Sequence, residues 1–157
     1  MRLLFVTALV IFVVDQALKV WIVHGLDLIT LRAIDVFPPY LNLRMAWNQG
    51  INFGLFAGDA ASTRWILIGI AFAIVAYVLV WLWRDPPGRF GMVAGGLLVG
   101  GALGNVVDRI LYGAVADFLN MSCCGITNPF AFNVADIAIF AGAIGLVVAP
   151  SGPKKPA

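Results

Sequence analysis

Two stretches of this 157-residue sequence set a lone carboxylate among apolar side chains: "GAVADFLNM" around Asp117 and "FNVADIAIF" around Asp136, nineteen residues further on. Charge in apolar surroundings is costly, so each is a candidate for chemistry. Two carboxyl groups in one low-dielectric cleft do not both ionise; one pKa rises and the pair holds a shared proton. The charged member can then take a proton from water, while the protonated member donates to a carbonyl oxygen and later to a leaving amine. That is the chemistry of an aspartic protease, and it calls for neither metal nor cofactor.

Further polar groups sit in otherwise apolar runs. Asp15 and Lys19 are spaced i,i+4 and can pair on one helix face. That pair either only orients its helix or also serves a site. Asn105, Asp108 and Arg109 follow at i, i+3 and i+4, a polar cluster in which Asp108 and Arg109 can alternatively form a simple interfacial salt pair. Asn133 stands where the helix carrying Asp136 needs an N-cap.

Other chemistries find little support. Cys123 and Cys124 are adjacent, which is neither a CxxC redox motif nor a metal pattern, and the single His24 does not complete a ligand set. A serine–histidine mechanism would depend on that same histidine. No Gly-rich phosphate loop is present. A net charge of +2, scattered along the chain, gives no reason to expect nucleic acid as a partner.

The elements that position these residues belong to a membrane protein. Hydrophobic residues make up 62% of the chain and charged ones 11%, with mean hydropathy +0.97, against about 25% charged in ordinary soluble domains. Four segments are apolar enough to be membrane spans, at about 3–23, 65–83, 91–111 and 134–149, within a single domain covering 1–157. The first resembles a signal peptide, but no small-x-small cleavage site follows, and it is read as a retained span. Arg64–Trp65 and Trp81, Trp83 and Arg84 anchor the two ends of the second. "RDPPGR" at 84–89 is a turn whose prolines end that helix. Arg2, Arg84, Arg89, Lys154 and Lys155 then lie on one side, the cytoplasmic side by the positive-inside rule, with both termini and the tail 150–157.

Loops 24–64 and 112–133 face outward. In the first, Leu41, Leu43, Met45 and Trp47 alternate with Asn42, Arg44 and Ala46, a strand pattern. "NQG" supplies a turn before the apolar run Ile51–Phe56, so a small amphipathic sheet at the outer surface is expected. In the third span, Gly96, Gly100 and Gly104 form a smooth stripe for close helix approach.

Taken in order, Asp15–xxx–Lys19, "NQGINFG" from Asn48, "GNVVDR" from Gly104, "VADF" around Asp117 and "FNVAD" from Phe132 resemble the lipoprotein signal peptidase (signal peptidase II) family of bacterial membrane aspartyl proteases. Each motif alone is weak; the ordered set, with spans of the right length between, is specific. The resemblance implies an all-α membrane fold with four transmembrane helices, a small extracytoplasmic β-sheet forming a cradle, and a short outer helix. It implies Asp117 and Asp136 as catalytic dyad, with Asn48, Gly50, Asn105, Arg109 and Asn133 holding substrate and Asp15, Lys19 and Asp108 supporting the site. The implied substrates are diacylglyceryl-modified prolipoproteins, cut just before the lipidated cysteine in the bacterial inner membrane, among its lipids, by a site facing outward. Cyclic-peptide antibiotics such as globomycin are the implied inhibitors. Asn52, where the family usually has a small residue, and the 121–129 loop with its two cysteines depart from the pattern. The rival class is a small proton-coupled transporter or channel subunit using Asp15, Lys19 and Asp136 as relays; such proteins usually place relays near the midplane and show repeated halves.

Overall fold

The computed structural model describes residues 1–50 and 60–149. The apolar run Ile51–Phe56, with Asn52, and the tail 150–157 lie outside the described residues. Four long helices and a small sheet make up the rest. Helix α1 (Arg2–Val20) runs into a π-helical turn, Trp21–Gly25, and the single-turn α2 (Leu28–Leu31). Strands β1 (Ala33–Phe37) and β2 (Leu41–Asn48) precede α3 (Ala60–Arg84) and α4 (Arg89–Tyr112). Strand β3 (Val115–Asn120) and α5 (Val134–Val148) complete the order.

Among the described residues, three helical stretches are long and apolar enough to cross a membrane: Arg2–Gly25, Ser62–Arg84 and Arg89–Tyr112. Of these, α4 is the central one, packing against α1, α3 and α5. Helices α1 and α3 instead expose large apolar side chains, among them Phe5, Leu9 and Val13 on one and Ile70, Tyr77 and Trp83 on the other. Such surfaces suit lipid. Helix α5 has 15 residues, short of the expected span 134–149 and of the roughly 20 a crossing helix needs.

Its length follows from its packing. Its far end reaches Gly91, where an added Cβ would lie 3.2 Å from that of Ala149, and its first turn packs at Gly101 against Ala135. Helix α4 continues from there to Tyr112, roughly 16 Å at about 1.5 Å per residue. The part of the bundle beside that stretch belongs to loop and sheet.

The glycine stripe does what a smooth face permits. A Cβ at Gly100 would collide with the Ala8 carbonyl of α1, and one at Gly96 would come within 2.7 Å of Leu4 O. From the other partner, Gly142 of α5 would place a Cβ 2.6 Å from both Ala94 O and Leu98 N. Backbone blocks the space in each case. Arg64 Nη2 donates to Ile110 O at 2.8 Å, fastening the start of α3 to the last turn of α4.

The sheet is antiparallel in the order β1-β2-β3. Asn42 pairs with Asn120, Ala46 with Asp117 and Asn48 with Val115, with an irregularity in β2 between Leu43 and Ala46. One small core, Ile22, Leu28, Leu43 and Phe118, joins the sheet to the helical turns after α1. The expected amphipathic strand is covered on both sides at Asn42 and Leu43, while Arg44 next to them is exposed. Leu43 is in that core, while Asn42 is also buried, in contact with a cavity walled by the 122–131 loop. Asn120 Nδ2 holds that loop down, donating to Asn128 O and Phe130 O at 2.8 Å each.

Gly100→Ala and Gly142→Ala are each expected to destabilise the bundle by about 1–3 kcal/mol, the usual cost of overpacking. Gly69→Ala, in α3 with nothing within 4 Å of the new methyl, should be neutral or mildly stabilising. Thermal unfolding of the three variants in detergent checks the contrast.

Candidate active site

Five elements converge beside the C-terminal half of α4. Helix α1 contributes Asp15, Gln16 and Lys19; α4 contributes Asn105, Asp108 and Arg109; the end of β2 contributes Asn48; β3 carries Asp117; the start of α5 carries Asn133 and Asp136. At their base lies a buried ion cluster. Lys19 Nζ is 2.8 Å from Asp15 Oδ2 and 2.7 Å from Asp108 Oδ2, with side-chain exposures of 5%, 0% and 1%. The expected Asp15–Lys19 pair is therefore present but is half of a larger arrangement. Asp108 pairs with Lys19 and not with Arg109, which corrects the simple salt-pair reading; Arg109 Nη1 donates to Asn105 O at 3.3 Å.

Each acid of the cluster also holds backbone. Asp15 Oδ1 accepts from Ala135 N at 3.0 Å, and Asp108 Oδ2 accepts from Ala116 N at 3.2 Å. Gln16 Nε2 donates to Asp108 Oδ1 at 3.0 Å and to Asp15 Oδ2 at 3.1 Å. Sequence reasoning missed Gln16. The search for costly ionisable groups passes over a neutral amide, and its only signal was a polar residue in an apolar helix.

Above the cluster, three asparagines grip Asp117 and Asp136. Asn133 is the N-cap of α5: its Oδ1 accepts from Asp136 N at 2.9 Å, and its own N donates to Asp136 Oδ2 at 3.1 Å. The same residue donates from Nδ2 to Asp117 Oδ1 at 2.7 Å. One asparagine thus contacts both carboxyl groups. Asn105 donates to Asp136 Oδ1 at 2.8 Å, while its Oδ1 accepts from Lys19 Nζ at 3.1 Å. An ammonium can only donate, so Asn105 must turn its NH2 toward Asp136. Asn48 is fixed by the same logic. Gly50, at φ 111°, donates its N–H to Asn48 Oδ1 at 3.0 Å, leaving Asn48 Nδ2 to reach Asp117 Oδ2 at 3.0 Å.

Asp117 is buried and Asp136 half-buried. Burial foremost, and the nearby Asp136 charge next, push the Asp117 carboxyl up from 3.8 to about 6; the hydrogen bonds from Asn48 and Asn133 oppose this less strongly. Beside the pair, a groove among α3, α4 and α5 is lined by Leu67, Ile70, Leu98 and Ile139, with Asn105 and Arg109 also on its wall. Arg109 Nε is buried with no hydrogen-bond partner among the described residues. His24, Cys123 and Cys124 take no part: His24 lies near Tyr112, at 6.5 Å between rings, and both cysteines are exposed on the 121–129 loop.

This constellation coincides with a family pattern described as signal peptidase (SPase) II, which matches residues 7–150. The chain belongs to the signal peptidase II family. A lipoprotein signal peptidase of Methylorubrum extorquens (strain PA1) is 41% identical over 134 residues, covering 85% of this chain and 77% of the relative. Another, from Pseudoalteromonas atlantica (strain T6c / ATCC BAA-1087), is 41% identical over 142 residues, covering 90% of this chain and 84% of the relative. Among solved structures, a bacterial membrane enzyme determined in meso at 1.9 Å superposes with a TM-score of 0.79 at 27% identity, covering 94% of this chain and 92% of that one. Membership in a peptidase family sets the transporter reading aside, and it agrees with the apolar helices in making this an integral membrane protein.

Within the signal peptidase II fold, the ion cluster pairs two buried carboxylates with the one ammonium of Lys19. Lys19→Met keeps the length of the stem but leaves Asp15 and Asp108 buried without their cation. Breaking a buried pair in this way costs about 3–5 kcal/mol. The variant should unfold at clearly lower temperature in detergent, and a melting curve superimposable on the parent's would show that the cluster is dispensable.

Proposed function

We propose that this protein is a membrane aspartyl endopeptidase that removes signal peptides from diacylglyceryl-modified prolipoproteins, cutting just before the lipidated cysteine, with Asp117 and Asp136 as the catalytic dyad. The observation that carries this reading is the double grip of Asn133, whose N–H and NH2 groups bond one carboxyl each. Two acids tied to one residue act as a unit.

The unequal settings of the pair suggest a division of labour. Asp117, the more buried, holds its proton up to about pH 6; Asp136, at the less enclosed position, is the charged base. In the first step Asp136 takes a proton from water as its oxygen attacks the scissile carbonyl carbon. Asp117 gives its proton to the carbonyl oxygen. The tetrahedral intermediate then collapses: Asp117 recovers a proton from it, Asp136 passes the water-derived proton to the departing nitrogen, and the C–N bond breaks. The products are the signal peptide's carboxyl end and the free amine of the lipidated cysteine. Asn48, Asn105, Asn133 and Arg109 are placed to steer the substrate backbone, Arg109 with an Nε–H that has no partner among the described residues. Asp15, Lys19, Asp108 and Gln16 position the dyad, and Gly50 sets the angle of Asn48.

In the membrane, α5 serves as the fourth span despite its 15 residues, because loop and sheet fill the outer part of the bundle. The termini are cytoplasmic, the sheet lies on the extracytoplasmic face of the bacterial inner membrane, and the dyad sits beneath it. There a diacylglyceryl anchor and an apolar signal helix, both held in lipid, bring the scissile bond to the carboxyl pair. The apolar groove ending in Asn105 and Arg109 is also where an inhibitor such as globomycin would compete.

Two experiments test the dyad. Asp117→Asn and Asp136→Asn should each lower cleavage of a diacylglyceryl-modified prolipoprotein in liposomes by at least about a thousandfold, with unchanged folding; normal turnover by either variant removes it from the mechanism. The second concerns pH. Because the folded Asp117 carboxyl is raised, its proton is present below about pH 6 and lost above it. The profile of kcat/KM, which reports groups of the free enzyme, should therefore descend above about pH 6. A flat profile to pH 8 would give the acid role to another group.

A further inference from the structure

A second cavity lies on the sheet, away from the apolar groove. It has a volume of about 420 Å³, and its lining includes Asn42, Arg44 and Ala46 of β2, Asn120 of β3, and Thr127 and Asn128 of the loop that joins the two aspartates in sequence. Two properties make it more than a surface dent. It is already built: the bonds from Asn120 to Asn128 O and Phe130 O hold the loop in place, and Asn128 N donates to Ser122 Oγ at 3.0 Å. It also carries an unmet polar group. Asn42 is only 7% exposed and its Nδ2 makes one long bond, 3.4 Å, to Pro39 O, while its buried Oδ1 has no partner among the described residues. An unpaired buried acceptor is costly, and it calls for a donor such as a peptide N–H.

Position says which peptide. Ala46, at one end of the cavity, is the register partner of Asp117, and Asn42 lies four residues further along β2. At about 3.3 Å per residue that distance is roughly 13 Å, room for three or four residues of extended chain leading away from the dyad. The two sides of the scissile bond differ in polarity. The signal-peptide side is apolar and suits the groove among α3, α4 and α5. The sheet cavity offers asparagine amides and, at its edge, the exposed Arg44–Asp35 pair at 2.8 Å, which suits a hydrated segment.

We propose that this cavity is a subsite for the first residues of the mature protein, those following the lipidated cysteine, with Asn42 Oδ1 accepting a backbone N–H of that segment. The assignment rests on the peptidase reading above and adds a specificity-determining surface to it. The segment binds extended beside β2, and Asn42 tightens binding without touching the reacting atoms.

The test uses the full-length enzyme in liposomes with two synthetic lipopeptides. One ends a single residue after the diacylglyceryl-cysteine; the other continues for four more. The parent enzyme should cleave the longer one with a kcat/KM about five- to tenfold higher, the gain residing in KM, a size in keeping with one or two net hydrogen bonds. Asn42→Leu should bring the ratio of long to short close to one. Thr127→Trp, which narrows the cavity mouth from an exposed position, should do the same without altering Asn42. Equal kcat/KM for the two peptides in the parent enzyme overturns the proposal. So does an Asn42→Leu variant that slows both peptides alike, since that would make Asn42 a fold residue. Cleavage of the short peptide in either of those outcomes leaves the peptidase reading standing while the subsite falls; failure of the parent enzyme on both peptides overturns both.

Discussion

A single buried ammonium organises this molecule. Lys19 Nζ lies between the carboxylates of Asp15 and Asp108, and each of those acids accepts a backbone N–H from the residue just ahead of a proposed catalytic aspartate. Ala135 precedes Asp136 and Ala116 precedes Asp117. The two "VAD" triplets, one opening a helix and one inside a strand, are thus held the same way by the same cluster. A buried ion pair is weak evidence of net stability, because desolvation consumes much of its attraction. Its value here is registration: a helix and a strand with no covalent reason to align are tied to one point on α1 and α4.

The layer above the cluster uses a different chemistry, and the difference matters. Asp117 and Asp136 are held by Asn48, Asn105 and Asn133, neutral amides that orient a carboxyl group without neutralising it. Arginine or lysine at those positions would draw the carboxyl pKa down. Amides act more weakly, so burial and the neighbouring acid prevail and Asp117 is raised to about 6. Lys19 contributes the smallest of the opposing influences on Asp117; its charge is engaged by Asp15 and Asp108. Separating the cation from the proposed catalytic acids by one layer of amides lets the fold be held by charge while the site keeps a titratable proton.

Some of this was legible in the sequence and some could not be. Isolated aspartates, the i,i+4 pair, the Asn133 cap and the glycine stripe all follow from local spacing. Strand β3 left no pattern: Val115 to Phe118 are all buried, and a strand covered on both faces shows no alternation to read. The alternative salt pair between Asp108 and Arg109 fails for a geometric reason. Adjacent residues on a helix point about 100° apart, so nearness in sequence to Arg109 counts for less than the face that meets α1. Gln16 was silent because an uncharged amide in a span raises no alarm until its three acceptors on two helices are known. The length of α5 depends on what covers the C-terminal half of α4, a tertiary fact.

The glycine stripe shows how packing and chemistry join. Gly96 and Gly100 admit the backbone of α1, which packing alone explains. Gly104 is different. A Cβ there would lie 2.6 Å from Asp15 Oδ2, the oxygen that binds Lys19. The same smooth face that lets two helices touch therefore ends in a notch for a carboxylate, and α4 presents the next residue, Asn105, and one turn on Asp108 to the ammonium. Close approach brings Lys19 within reach of α4; the last glycine leaves room for its counter-ion. Without both, Asp15 would have to leave either the ammonium or Ala135 N, and the first turn of α5, which carries Asp136, would lose its tie to the cluster.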